Sequence, residues 1–191
     1  MNEPSLPSPA LGQLVVQPLG AHHCREAFVC GIPELDHYLQ HQASQDYKRS
    51  LSQTFVLTVA ANDADILGYY TLSSYSIAVA ALPPDLRKHL PPNRPLPTTL
   101  LGRFAIHASQ QGRGLGTLLL YHAMRRALRA TKAIASFGIV VDAMNDAVVP
   151  FYRDSGFIEL QDKPRHLIAP ISHLRALFPE DAAAMPSSEP L

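Results

Sequence analysis

The sequence has little cysteine, no net charge and no long apolar run, and each of these lacks removes a class of protein. Only Cys24 and Cys30 are present. Two cysteines are too few for a disulfide scaffold and match neither zinc nor haem spacing, so no metal is expected and a reducing, cytoplasmic setting is. Sixteen Lys and Arg balance sixteen Asp and Glu. That balance excludes a polycation that coats nucleic acid by bulk charge. No stretch approaches the roughly 18 apolar residues that span a bilayer, so no membrane partner is expected. The segment Met1–Ala10 is rich in Pro and Ser and carries no basic residue ahead of an apolar run, so no signal peptide is expected. What is present is ordinary globular composition, 47% hydrophobic and 17% charged over 191 residues. That length suits one domain with a sizeable core. Residues 1–11 and 179–191 read as loose tails and 12–178 as the domain.

Zero net charge conceals a local asymmetry. Between Leu86 and Val141 stand Arg87, Lys88, Arg94, Arg103, Arg113, Arg125, Arg126, Arg129 and Lys132, with no acidic residue among them. Such a segment either presents a positive surface to phosphate or forms a solvated helix face.

The hydrophobic pattern predicts an α/β (α+β) order. Leu14–Gln17 is a short strand closed by Pro18. Pro33 opens a helix to about Lys48, with Leu35, Tyr38, Leu39 and Gln42 at helical spacing. Thr54–Ala60 and Ile66–Ala80 are strands around a turn at Asn62–Asp65. The prolines of Pro83–Pro97 predict a loop with at most one helical turn, near Asp85–His89. Leu100–Ile106 is a strand, Ser109–Gly116 a glycine-rich turn, and Leu115–Thr131 a helix. Leu115, Leu119, Ala123 and Ala127 share one face of that helix, and His122, Arg125, Arg126 and Arg129 share another. Ala135–Ala143 reads as a buried strand. Asn145 caps a short helix that stops at Gly156. Phe157–Leu160 and His166–Ile171 are short strands, and Leu174–Phe178 makes one more turn.

The informative segment runs Gln111-Gly112-Arg113-Gly114-Leu115-Gly116-Thr117, between a strand and a helix. Glycines let several backbone N–H groups converge on one concavity, and the helix start adds about half a positive charge. Together they suit a diphosphate, with Arg113 as an added cation. A dinucleotide fold wants GxGxxG and an acid about 20 residues on, whereas the stretch Lys132–Phe137 offers none. The Gly-Lys-Ser/Thr of a P-loop is also missing.

The spacing of Gln111, Gly114 and Gly116 resembles the acetyl-CoA motif Gln/Arg-x-x-Gly-x-Gly/Ala of the GCN5-related N-acetyltransferase (GNAT) superfamily. Asn145, Phe151-Tyr152 and Gly156-Phe157 resemble its "N…FY…GF" block, in the same order. Further stretches resemble one subgroup, the TacT-like and AtaT-like acetyltransferase toxins of bacterial toxin–antitoxin pairs. These are Cys30–Asp36, Thr54–Leu57, Gly68–Leu72 and Leu101–Ile106, and the likeness covers about residues 12–175. It implies a single GNAT domain with a mixed, mostly antiparallel sheet, splayed between its fourth and fifth strands, and helices on both faces. It implies acetyl-CoA as donor, the α-amine of an aminoacyl-tRNA as acceptor, and a ribbon-helix-helix antitoxin as partner; a homodimer is compatible with it. It places the pantetheine arm between strands 100–106 and 135–143, bonded to the backbone of Phe104, Ala105 and Ile106. The diphosphate would lie on Gln111, Arg113, Gly114, Leu115, Gly116 and Thr117, with Asn145 a helix cap and a pantetheine contact. Tyr152 would protonate the leaving thiolate.

The acceptor side is less defined. Arg87, Lys88, Arg94 and Arg103 are the candidates, and Arg103 faces either the acceptor or an ion-pair partner. His107, at the strand end, is a candidate general base or a structural histidine. A strong base is not required if the acceptor is an α-amine, which titrates near 7.7–8 against about 10.4 for lysine. Two alternatives stand beside the toxin reading: acetylation of a small amine or a protein N-terminus, and a non-catalytic module that binds CoA or an antitoxin.

Overall fold

The structure is a computed structural model and describes residues 14–183. The expected tail at 1–11 and the end of the second tail lie outside those residues. Seven strands form one sheet in the order β1-β2-β3-β4-β5-β7-β6. They are β1 (Leu14–Pro18), β2 (Gln53–Val59), β3 (Gly68–Ile77), β4 (Leu96–Ile106), β5 (Gly138–Asp142), β6 (Ile158–Glu159) and β7 (His166–Pro170). Strands β4 and β5 run parallel, and the others pair antiparallel. Thr99–Leu101 pair with Ile139–Val141, and β4 continues past that register to Ile106.

Cα proximity groups the chain into two units. The first holds the residues up to Ser73 together with Arg103–His122; the second holds Ser74–Gly102 and the residues from Ala123 onward. In the first unit, β2 lies between β1 and β3. Its apolar, β-branched sequence QTFVLTV is buried from Thr54 to Thr58, as a strand covered on both faces requires. Phe28, Leu35, Tyr38, Leu39, Ala43, Val56, Ile66, Tyr69 and Ala105 form the core of this unit. Fully buried side chains such as Leu39 contribute about 1.5–3 kcal/mol each.

The helix expected over Pro33–Lys48 is three consecutive pieces: α1 (Pro33–His37), a π-helical turn at Tyr38–Gln42, and α2 (Ala43–Lys48). Apolar spacing alone does not distinguish a widened turn from an α-helical one. Cys30 is buried beside this segment, and burial pushes its thiol up to about 11. Cys24 is exposed, and both thiols are free.

In the second unit, β5 and β7 are paired along their whole length, and β7 is buried throughout. Ile77, Val79, Ala81, Leu82, Leu96, Val140, Leu160 and Ile168 form its core. The proline-rich stretch holds one helical turn, α3 (Pro84–Arg87), as expected. Strand β4 begins four residues earlier than expected, at Leu96. Pro97 fits because its carbonyl accepts the N–H of Phe137 while no donor is asked of it. The helix α4 (Leu115–Ala130) ends one residue short of expectation.

The chain end differs from expectation. After α6 (Ile171–Leu177) comes α7 (Pro179–Ala183), within the stretch read as a tail. Its Asp181 is buried and accepts from the Nε atoms of Arg125 and Arg129, both at 2.6 Å. Glu180 also pairs with Arg125, whose guanidinium lies over the Phe178 ring. The basic face of α4 is therefore partly neutralised from 52 and 56 residues away.

Burial alone would raise the Asp181 carboxyl, but the bonds from Arg129 and Arg125 outweigh it and hold the group below its usual value. The depressed value stabilises the fold above the unfolded pKa of about 3.9 and ceases to do so as pH falls through the folded one. Asp181→Ala is expected to cost about 1–2 kcal/mol at pH 7, since both arginines are partly solvated. Denaturant melts should show the gap from wild type closing below about pH 4.

Candidate active site

In the first unit, β4 leads through a short 3-10 turn at Ala108–Gln110 into the glycine loop and α4. Gly112 and Gly114 adopt φ of +71° and +77°, and a Cβ on either would project into open space. Only glycine holds such angles without strain. The result is an uncovered backbone surface at the start of a 16-residue helix. The first ladder bond is donated by Leu118 to the Gly114 carbonyl. The amides of Leu115, Gly116 and Thr117 precede it, where an α-helix leaves its N–H groups without intrahelical partners. These amides and the helix dipole favour an anion with several oxygens. The residues present therefore fit the diphosphate of a coenzyme A thioester.

Side chains around the loop are fixed by one another. Arg113 donates to Oε1 of the buried Gln110 at 2.8 Å, which holds the guanidinium beside the glycines. Gln111 donates through Nε2 to the carbonyls of Cys30 (2.8 Å) and Ile106 (3.0 Å). Its side chain thus staples the loop to β4 and to the segment before α1. Ala105 is buried in the core, and Phe104 and Ile106, on the opposite face of β4, are half-buried. His107 has a structural task. Its Nδ1 accepts the N–H of Ser109 and so caps the 3-10 turn, while its ring packs edge-on against Phe28. A proton on Nδ1 would remove that acceptor.

Asn145 and Tyr152 lie in the second unit. Asn145 caps the next turn as expected, its Oδ1 accepting the N–H of Val148 at 3.2 Å. The helix α5 (Val149–Asp154) follows. It stops at Gly156, whose φ of +91° accompanies a bond from the Phe157 N–H to the Tyr152 carbonyl. Tyr152 is 6% exposed, with Phe151 and Phe157 edge-on at ring separations of 5.2 and 5.5 Å. Burial pushes its hydroxyl far above the usual phenol value, so the group is neutral and carries its proton.

The four expected acceptor cations are divided. Arg87, Lys88 and Arg94 are exposed in the second unit, and Lys88 pairs with Asp85 at 3.2 Å. Arg103 belongs to the first unit, where its guanidinium lies over the ring of Tyr38. Helical spacing marks Tyr38 only as a core residue, and the π turn that starts there has no signature in apolar spacing. Among the described residues no three His, Cys, Asp or Glu are grouped to hold a metal ion. No helix among them is long and apolar enough to cross a membrane.

Residues 22–157 match the model of the acetyltransferase (GNAT) family. The chain belongs to that family. GNAT enzymes are N-acetyltransferases that use acetyl-CoA as donor. Relatives are similar over most of the chain. A "tRNA-acetylating toxin" of Mycobacterium tuberculosis (strain ATCC 25618 / H37Rv) is 35% identical over 152 residues, 80% of this chain and 89% of the relative. The solved structure of AtaT complexed with acetyl-methionyl-tRNAfMet superposes with a TM-score of 0.81 at 30% identity, covering 86% of this chain and 99% of that one. A tyrosine-to-phenylalanine variant of the AtaT toxin, bound to the C-terminus of the antitoxin AtaR and acetyl-CoA, gives 0.75 at 27% identity, with 87% and 98% covered.

Proposed function

We propose that this GNAT protein is a toxin that transfers the acetyl group of acetyl-CoA to the α-amine of an aminoacyl-tRNA and so blocks translation. The observation that carries the acceptor is the 35% identity, across four-fifths of the chain, to a protein described as a tRNA-acetylating toxin. The donor brings an acetyl thioester, and the residues of this chain hold it and manage one proton. The amides of Gln111, Arg113, Gly114, Leu115, Gly116 and Thr117, with the Arg113 guanidinium, bind the diphosphate. The backbone of Phe104, Ala105 and Ile106 orients the pantetheine, and Asn145 contacts it. The Ile106 N–H polarises the thioester carbonyl, a kind of donor worth about 2.7–4 kcal/mol. Positioning both reactants is the larger effect, up to about 7–11 kcal/mol. The amine attacks the carbonyl carbon, the carbon–sulfur bond breaks and Tyr152 gives its proton to the thiolate, while the nitrogen sheds one proton to water as it becomes an amide and water returns a proton to Tyr152. The place of Tyr152 between Asn145 and Gly156-Phe157 supports this role, and a neutral phenol has the proton to give at pH 7; burial makes it a weaker acid than a free phenol.

Arg87, Lys88, Arg94 and Arg103 engage the RNA. The chain acts in the cytoplasm and is neutralised by a ribbon-helix-helix antitoxin; it forms a homodimer. Reversing the charge of Arg87 and Arg94 is expected to weaken tRNA binding. The log–log salt slope should flatten by about 0.7–0.9 for each phosphate that the variant no longer neutralises. Filter binding at several salt concentrations measures both. A coupled translation extract tests the whole proposal. Synthesis should stop only when protein and acetyl-CoA are both supplied. Continued synthesis, with acetylation of a small amine or a protein N-terminus instead, would favour the alternative enzyme reading.

A further inference from the structure

One surface cation of the first unit is held in an unusual way. Arg103 stands exposed on β4 with its guanidinium carbon 5.0 Å from the centre of the Tyr38 ring. Its own N–H is tied to Oγ1 of the buried Thr71 at 2.9 Å. The Tyr38 ring is fixed in turn. Its hydroxyl donates to Asp46 at 3.0 Å and shares a bond with Ser52 at 2.9 Å. Its plane lies within 14° of that of Tyr69, a fully buried ring whose hydroxyl donates to the Leu35 carbonyl. Tyr38 also begins the π-helical turn, a local irregularity that often accompanies functional sites. One locked ring, itself stacked on a second, thus lies beneath an exposed, planar cation.

We propose that Arg103, seated on Tyr38, is a stacking platform for the terminal nucleobase of the acceptor, with Tyr38 as the positioning residue. This rests on the aminoacyl-tRNA reading above. A guanidinium can stack by one face on an aromatic ring and leave the other face for a second planar group. Bases in single-stranded RNA ends are commonly held in this way, between aromatic rings and arginine planes. Position along the strand points to the end of the RNA rather than its helical body. Arg103 precedes Ile106, the carbonyl-polarising residue, by three positions, about 10 Å at 3.3 Å per residue. The aminoacyl ester joins the α-amine to the terminal ribose, and the base hangs from that ribose. One nucleoside bridges such a gap. Arg103 and Ala105 alternate with Phe104 and Ile106, so the platform lies on the face of β4 opposite to those two side chains.

The test compares two acceptors that differ only in the nucleoside, an aminoacyl-adenosine ester and the methyl ester of the same amino acid. The wild type should show a lower KM for the adenosine ester. Arg103→Met and Tyr38→Leu should each raise that KM at least tenfold more than the KM for the methyl ester, with kcat changed less than KM. Tyr38→Phe keeps the ring and should retain most of the preference, which a purely structural role for the hydroxyl would not allow. Arg103→Lys keeps the charge without the plane and should lose it. A wild type that acetylates both esters with equal KM overturns the platform alone. Arg103→Lys with the full wild-type preference for the adenosine ester overturns stacking, because charge without the plane would then suffice. A wild type that acetylates aminoacyl-tRNA but neither ester overturns the platform; one that acetylates neither the esters nor aminoacyl-tRNA overturns the aminoacyl-tRNA reading, and the platform with it.

Discussion

Tyr152→Phe is expected to leave a folded protein that binds acetyl-CoA with nearly unchanged affinity and turns over about 10²–10⁴ times more slowly, the usual span for losing a general acid. The change removes one hydroxyl and keeps the ring that packs edge-on against Phe151 and Phe157. Those ring contacts account for the placement of the side chain, so the melting temperature should move little. The chemistry sets the rate. Expulsion of coenzyme A leaves a sulfur anion that must gain a proton. In the proposed mechanism Tyr152 meets that anion with its proton still in place. Because burial raises its pKa, no loss of activity from Tyr152 ionisation is expected up to about pH 10, where a phenol at its usual value would already be half ionised. Single-turnover kinetics with calorimetry of acetyl-CoA binding separates the outcomes. Near-full turnover would mean that water supplies the proton. An unfolded variant would mean that the hydroxyl is a buried structural partner.

Gly114→Val is expected to abolish useful donor binding. Its φ of +77° strains any L residue, and a β-branched one most. The strain costs about 1–2 kcal/mol, which a domain of this size tolerates. The larger effect is steric. In the proposed donor site the diphosphate fills the open space above Gly114, and the valine methyls would stand in front of the helix amides. Loss of two charge-assisted hydrogen bonds, at about 1.5–3 kcal/mol each, weakens Kd at least about a hundredfold. Titration calorimetry against acetyl-CoA, with circular dichroism as the folding control, checks this. Unchanged affinity in a folded Gly114→Val protein would remove the glycine loop from the donor site.

What could be read from the sequence was local. The glycine turn, the Asn145 cap and the Gly156 stop are each decided by a few adjacent residues, and all three stand where their chemistry places them. Strand β2 was legible because a run of apolar and β-branched residues buried on both faces leaves little choice. Long-range pairings were not legible. Asp181 sits in a short acidic stretch that reads as a tail until Arg125 and Arg129 meet it from α4. Arg103 and Tyr38 are 65 positions apart, and nothing near either one announces the other. Gln111 fits a donor motif, yet its amide side chain is occupied with the carbonyls of Cys30 and Ile106. The motif constrained the residue type, and the structure shows the loop-holding bond that uses it. For His107 the structure adds a cap, the Nδ1 bond from the Ser109 N–H.

The most direct measurement is mass analysis of the amino acids released from tRNA after incubating purified protein, acetyl-CoA and a mixture of aminoacyl-tRNAs. The expected result is one acetyl group on the α-amine of at least one tRNA-linked amino acid, present with the wild type and nearly absent with Tyr152→Phe. Unmodified amino acids on every tRNA, with acetyl-CoA consumed on some other amine, would contradict it.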